Sequence, residues 1–321
     1  MQRRALLASA LATPALATPT LAQGTERVRV AVFDVTSALP FYVARERGMF
    51  ARQGIEITTI PLQTHPLIVQ ALVANEADAC SNLVTLEAAN INQRRANSVI
   101  YFALNGQNEA FRMEQFVVRP SSTARTLADL RGARIASAPG PANMAAARGV
   151  LASVGLGPND YTLMEQPMGV HIGGVQSGQF DAAYTLEPVG TVGQRAGAFR
   201  LLEAGVISTH LLGRKDAKAF AAGAGFSGRY LAEKPAVAAR FAAAWAEALA
   251  AIRTDPTTLS YLTSHLNTPA DLAASVPLLA YTMVKDMTPQ DRQDLQRFID
   301  IAVQQGVLRG AIDASTFIRP L

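Results

Sequence analysis

Leu72-Val73-Ala74-Asn75-Glu76-Ala77-Asp78-Ala79 is written a second time, 103 residues later, as Val175-Gln176-Ser177-Gly178-Gln179-Phe180-Asp181-Ala182. The same offset lays residues 28–33 over 131–136, Gly54 over Gly157, and 55–60 over 158–163. Each copy reads strand, turn, helix, glycine, strand, turn, helix, turn, strand. A unit this long predicts two related α/β domains, since solenoid repeats are far shorter. Strand–helix–strand units of this size cross over right-handedly and build a largely parallel sheet. The expected fold class is therefore α/β, with two parallel-sheet lobes facing each other across a central cleft.

In the first copy Val28, Val30 and Val32 alternate with polar residues, the period of a strand. A helix is expected over 39–47, a strand over 55–60, a helix from Leu67 to Leu72, and a strand over 77–80. Ser81-Asn82 then reads as a turn before a helix over 85–93. Asn75 and its counterpart Gly178 stand where a left-handed helix cap is wanted. The second copy opens on Thr126-Leu127-Ala128-Asp129, which has capping-box spacing. It continues with strands over 133–136, 161–164 and 181–184 and helices over 142–154 and 170–176. The last third reads as helices over 235–253, 271–279 and 289–305. Thr268-Pro269 and Thr288-Pro289 serve there as cap and first-turn proline pairs. Phe241, Trp245 and Leu249 fall on one helical face and are expected in the core. The alanine- and glycine-rich stretch 217–224 reads as a mobile connection.

With 321 residues, 49% hydrophobic and 17% charged, the chain can bury two ordinary cores. A net charge of +4 without a Lys/Arg cluster interleaved with aromatics speaks against nucleic acid as a partner. Residues 1–22 read as a cleaved export signal: Arg3-Arg4, an apolar run, and a small-residue end at Leu21-Ala22. Cys80, the single cysteine, excludes an internal disulfide and is expected as a small buried hydrophobe.

Ligands of parallel sheets bind beyond the C-terminal strand ends, where helix N-termini present free N–H groups. The repeat thus nominates six turns, at 34–39, 63–66, 81–85, 137–143, 165–170 and 184–188. The ligand-binding candidates there are Asp34, Thr36, Ser37, His65, Ser81, Asn82, Gly140, Asn143, Met168, Tyr184 and Glu187. Each has a plainer role open to it: Ser37 and Asn82 as helix caps, Asp34 and Glu187 as turn carboxylates, His65 as an exposed turn residue. Asp78 and Asp181, equivalent in the two copies, are expected to stabilise the fold. The chain carries no glycine-rich dinucleotide fingerprint, phosphate-loop lysine, Gly-x-Ser-x-Gly elbow or His-Glu-x-x-His. Its four histidines are scattered, and none of its four lysines falls in a nominated turn. No catalytic residue, cofactor or metal is expected.

Phe41-Tyr42-Val43-Ala44-Arg45-Glu46-Arg47-Gly48-Met49-Phe50-Ala51-Arg52-Gln53-Gly54-Ile55 resembles the opening of the nitrate/sulfonate/taurine-type periplasmic substrate-binding proteins, a superfamily that includes pyrimidine-precursor binders. Residues 71–78, 127–135 and 177–182, with Glu187-Pro188, continue the resemblance along the chain. It implies a type II periplasmic binding protein-like fold, monomeric, with lobe 1 formed by 23–115 and 230–321 and lobe 2 by 116–229. The implied role is solute-binding component of an ABC importer, in the periplasm, handing a small organic molecule to a membrane permease. Because the six turns hold no Lys or Arg but include Asp34, Glu165 and Glu187, the expected solute is neutral or partly cationic, such as a nitrogen heterocycle or an amide. The alternative is an enzyme of the same fold, like the pyrimidine synthases.

Overall fold

The computed structural model describes residues 24–321, so the export signal expected over 1–22 lies outside the described residues. The chain opens with β1 (Glu26–Val32), α1 (Leu39–Glu46), α2 (Met49–Arg52), β2 (Ile55–Pro61), α3 (His65–Val73), β3 (Ala79–Val84), α4 (Thr85–Arg94) and β4 (Val99–Gln107). It continues through β5 (Glu114–Val118), β6 (Arg134–Ser137), α5 (Pro141–Ser153), β7 (Thr162–Glu165), α6 (His171–Gln176), β8 (Ala182–Leu186), α7 (Val189–Arg195) and β9 (Arg200–Ala204). The last third holds β10 (Ala219–Ser227), α8 (Gly228–Glu233), α9 (Pro235–Thr254), α10 (Ser260–Leu266), β11 (Ala280–Met283) and α11 (Pro289–Gln304).

Two sheets result, ordered β11-β4-β10-β3-β1-β2 and β7-β6-β8-β5-β9. The repeated strands run parallel in both, β1 beside β2 and β3, β6 beside β7 and β8. Each sheet is nevertheless mixed rather than parallel. β10 lies antiparallel between β3 and β4, and β5 antiparallel between β8 and β9. In each case the inserted strand is the one the chain delivers from the other lobe. The expected boundaries are corrected accordingly: the 115/116 cut falls inside β5, which belongs wholly to the second sheet, and β10, placed in lobe 2 by the sequence, belongs to the first. The crossings are tied together where Asn108 Nδ2 donates to the Asp216 carbonyl at 3.2 Å and Ser208 Oγ to the Gln107 carbonyl at 2.9 Å.

The repeat is real but its offset is not constant. Val30 pairs with Ala79 and Ile135 with Ala182, so against the Asp78/Asp181 alignment the first strand slides by two residues. An even slip keeps every side chain on its face, which is why the hydrophobic patterns still matched. The two aspartates make the same constellation. Asp78 Oδ2 accepts the Arg29 backbone N–H at 3.0 Å and Nε at 3.0 Å; Asp181 Oδ2 accepts the Arg134 backbone N–H at 2.9 Å and Nε at 3.0 Å. Each carboxylate thus staples the third strand of its copy to the first. Asp78 is the more buried, at 7% side-chain exposure against 27% for Asp181. Asp78→Ala should cost about 2–3 kcal/mol and Asp181→Ala less, because hydrogen bonds to charged groups gain with burial. Urea unfolding of the two variants checks the order.

Several local expectations change. β3 runs on to Val84 and β8 to Leu186, so Ser81, Asn82 and Tyr184 are strand residues and not turn residues. Residues 271–279 form no α-helix: a 3-10 turn at Ala273–Ser275 gives way to extended backbone and β11. The cause is Pro277, which disfavours helical geometry at Val276, whose φ and ψ are −68° and 123°. The stretch 217–224 is not a mobile connection but mostly β10, a central strand. Its small residues permit close strand approach; a Cβ on Gly223 would lie 2.5 Å from the Ala103 carbonyl oxygen. Thr288 does cap α11, in a capping box with Asp291.

The core is centred on the first sheet, where α9 lays Phe241, Trp245 and Leu249 inward as their spacing predicts. Phe102 meets Trp245 edge-on with ring centroids 5.6 Å apart, and Phe226 meets Phe241 at 5.3 Å. This cluster extends through the cleft into lobe 2, reaching Phe116 and Tyr184. A smaller one, with Val117, Phe180 and Phe199, covers the far face of the second sheet. Cys80 is buried in β3 and its thiol pushed up to about 12 by desolvation, as suits a structural residue.

Candidate functional site

Between the lobes lies a narrow cavity of about 30 Å³, room for a water or two. Its walls are mostly apolar, including Val35, Val84, Leu86, Met113, Leu186 and Phe298. The polar groups on it are Ser37, His65, Asn105, Gln107, Glu114 and Asn143. No Lys or Arg lines it among the described residues.

Three of the sequence-nominated residues converge there: Ser37, His65 and Asn143. Ser37 is held by Asn82, whose Nδ2 donates to its Oγ at 2.9 Å. Asn143 spends one donor on the Pro139 carbonyl, at 2.7 Å. His65 is not the exposed turn residue its position suggested. It is 4% exposed, its ring edge packs on Phe33 at 4.7 Å, and its Nδ1 has no partner. Burial lowers its pKa to about 3, so it is neutral.

The other nominations sit elsewhere. Asp34 is exposed and accepts a hydrogen bond from the Tyr42 hydroxyl, so it faces solvent. Ser81 and Asn82 are fully buried beneath the turn that follows β1. Ser81 Oγ donates to Asn82 Oδ1, which also accepts the Phe33 N–H at 3.1 Å, and Asn82 Nδ2 returns to the Phe33 carbonyl at 2.7 Å. They position the turn bearing Ser37 instead of touching the cavity. Thr36 donates its backbone N–H to the Glu187 carbonyl at 3.0 Å, a bond between lobes. Glu187 is 1% exposed, but its carboxylate turns away: Oε1 accepts from Gln115 Nε2 at 2.5 Å and Oε2 from the Thr191 N–H at 3.0 Å. Tyr184, Met168 and Gly140 do not line the cavity; Tyr184 is buried against Phe116, with ring centroids 5.1 Å apart, and Gly140 opens α5.

Asn105, Gln107 and Glu114 escaped the sequence reading because they lie on the crossing strands, outside the repeated turns. Their signal is two polar residues spaced by two at the end of an otherwise apolar strand, which puts both on one face. Glu114 is the most perturbed. Full burial raises its pKa to about 8, and Oε2 has no partner. Its backbone N–H donates to Gln107 Oε1 at 3.1 Å. At neutral pH the lining is therefore uncharged throughout: a protonated carboxyl, a neutral imidazole, amides and a hydroxyl. Such a surface grips a solute by hydrogen bonds and apolar contact and offers an anion no counter-charge.

A protein-family model described as NMT1/THI5 like matches residues 35–259. No curated protein matches the chain. Among solved structures, it resembles the alkanesulfonate-binding protein SsuA from Xanthomonas axonopodis pv. citri bound to MOPS, at 19% identity. That match covers 94% of this chain and 100% of that one, with a TM-score of 0.74. The periplasmic aliphatic sulphonate binding protein SsuA from Escherichia coli is 17% identical, over 92% and 93%, at 0.73. The desulfurization enzyme DSZB is 16% identical, over 92% and 96%, at 0.67. At these identities the likeness establishes the bilobal fold.

Proposed function

The chain belongs to the NMT1/THI5-like family, and from that premise we propose that it captures a small, uncharged organic solute between its lobes as the binding component of an ABC importer. It would work as a monomer in the periplasm, where the SsuA of Escherichia coli resides, and hand the solute to a membrane permease. The observation that carries this reading is the pair of buried, unpartnered atoms on one interlobe cavity, His65 Nδ1 and Glu114 Oε2. A buried polar atom without a partner costs about 1–3 kcal/mol, which a ligand's hydrogen bond recovers. Since the cavity holds only about 30 Å³, a solute enters by separation of the lobes about the tied crossings, and closure follows.

The test is a thermal-shift screen of heterocycles, amides and sulfonates, followed by calorimetry on the hit. His65→Ala and Glu114→Ala should each weaken binding roughly 10- to 100-fold, the loss of one buried hydrogen bond. Unchanged dissociation constants in both would remove the cavity from solute capture. DSZB shows that this architecture also carries chemistry. Here Cys80 is sealed in β3 and no lysine lines the cavity among the described residues, which supports binding over turnover. Product formation from the bound compound would replace the binding reading with an enzymatic one.

A further inference from the structure

Two turns meet between the lobes, and each is pinned on its own side. In lobe 1, Thr36–Ala38 form a 3-10 turn after β1. Its carbonyls are held by two cross-strand partners of the first sheet, Tyr281 of β11 and Asn105 of β4. Tyr281 donates its hydroxyl to the Thr36 carbonyl at 2.8 Å, and Asn105 Nδ2 donates to the Ser37 carbonyl at 3.5 Å. In lobe 2, Glu187 follows β8. Its N–H donates to the Met113 carbonyl at 3.1 Å, and its carboxylate is taken up within the lobe by Gln115 and the Thr191 amide. That leaves its carbonyl, which accepts the Thr36 N–H at 3.0 Å. Among the described residues this is the one backbone hydrogen bond joining the lobes away from the crossings. Thr36 is 0% and Glu187 1% exposed, and their neighbours Val35, Ser37 and Leu186 line the cavity. An ion pair of Arg195 with Asp271 also joins the lobes, at 3.8 Å, but its side chains are 70% and 67% exposed, and solvent screens such a pair to little.

We infer that the Thr36–Glu187 bond is the latch that holds the lobes closed, and that Tyr281 is a positioning residue for it. A turn fixed in advance keeps its N–H aimed at the acceptor, so little freedom is lost when the bond forms. Parting the lobes breaks the bond and hands both groups to water, so its strength enters the balance between open and closed cleft. Donor and acceptor both belong to the chain, and the bond needs no solute atom. The role rests on the solute-binding reading, because only a cleft that admits a solute has to open.

Amide hydrogen exchange on the protein, with no solute added, reads the latch directly. The Thr36 amide is expected to be protected in the unsubstituted protein. Tyr281→Phe should reduce that protection roughly 3- to 10-fold, the worth of one hydrogen bond, while the amides of β1 keep theirs. A merely structural loss would lower both together. This variant leaves the Thr36 carbonyl partnered by the Leu39 N–H, so the fold tolerates it. Thr36→Pro removes the crossing N–H itself. Thr36 opens its turn after Val35 in extended backbone, φ −139° and ψ 171°, a position that accepts proline. Small-angle X-ray scattering should give Thr36→Pro a larger radius of gyration than the unsubstituted protein. Free-peptide exchange of the Thr36 amide in the unsubstituted protein, or unchanged dimensions in Thr36→Pro, overturns the latch. Unchanged Thr36 protection in Tyr281→Phe overturns the role of Tyr281. A screen in which no compound binds ends the solute-binding reading and leaves these results standing, because neither measurement uses a solute.

Discussion

Replacing Glu114 by Gln is expected to remove a large part of the loss of stability that Glu114 should cause in the unsubstituted protein between pH 4.5 and about 8. Burial raises this carboxyl from 4.5 to about 8 in the folded state. Within that window the folded protein holds a proton that the unfolded chain has released, so unfolding becomes easier as pH rises. The slope is about 1.4 kcal/mol per pH unit, for a total on the order of 5 kcal/mol, complete above pH 8. The histidines act in the opposite sense. His65 and His171 are lowered from 6.5 to about 3 and about 4 by burial, so their contribution is intact above pH 6.5 and is lost as pH falls. His265 is lowered and Glu187 and Glu87 are raised as well, so the full profile sums several groups and the difference between the Glu114→Gln curve and that of the unsubstituted protein isolates the share of Glu114. Denaturant midpoints from pH 5 to 9 measure this profile. A buried Gln lowers stability uniformly with pH, so the readout is the shape of the curve. An alkaline limb unchanged in slope in Glu114→Gln would show that other groups cause it.

Trp245→Ala should cost roughly 3–5 kcal/mol, the range for emptying a buried aromatic site. The indole is 1% exposed, and its ring meets Phe102 at 5.6 Å and Phe241 at 6.1 Å, pinning α9 to the first sheet. Phe102 lies on the central strand β4 and Phe241 on α9 itself, so the rings cannot close the gap without moving the elements that carry them. Trp245 does not line the interlobe cavity, and solute affinity of the folded fraction should be unaffected. Unfolding followed by circular dichroism, since the variant lacks the only tryptophan, decides the matter. A cost under about 1 kcal/mol would mean that the site collapses freely and does not anchor the helix.

The site was legible only where a residue's local position and its tertiary destination coincide. Ser37, His65 and Asn143 lie at strand-to-helix turns that open on the cavity, and the repeat located those turns. Asp34 occupies an equally favourable turn, yet the backbone aims its carboxylate at Tyr42 and solvent. Asn82 has the chemistry of a ligand contact but is consumed by Phe33 and Ser37. Glu187 is consumed by Gln115 and the Thr191 amide. Nothing in their immediate neighbours in sequence distinguishes these from residues with atoms to spare. Glu114 shows the converse: an ordinary glutamate at a strand end becomes a protonated carboxyl because two lobes close over it.

The amino-acid sequence by itself determined the duplicated strand–helix–strand unit, the inward faces of its elements, the Asp78 and Asp181 staples and the buried stripe on α9. All of these follow from periodicities and caps that act within a few residues, or from the likeness of one copy to the other. Tertiary structure alone decided which strand enters each sheet from the opposite lobe and which polar atoms are left unpaired. Those outcomes depend on groups far apart in the chain meeting in a desolvated space. There burial sets protonation and partnership, and no local pattern encodes either.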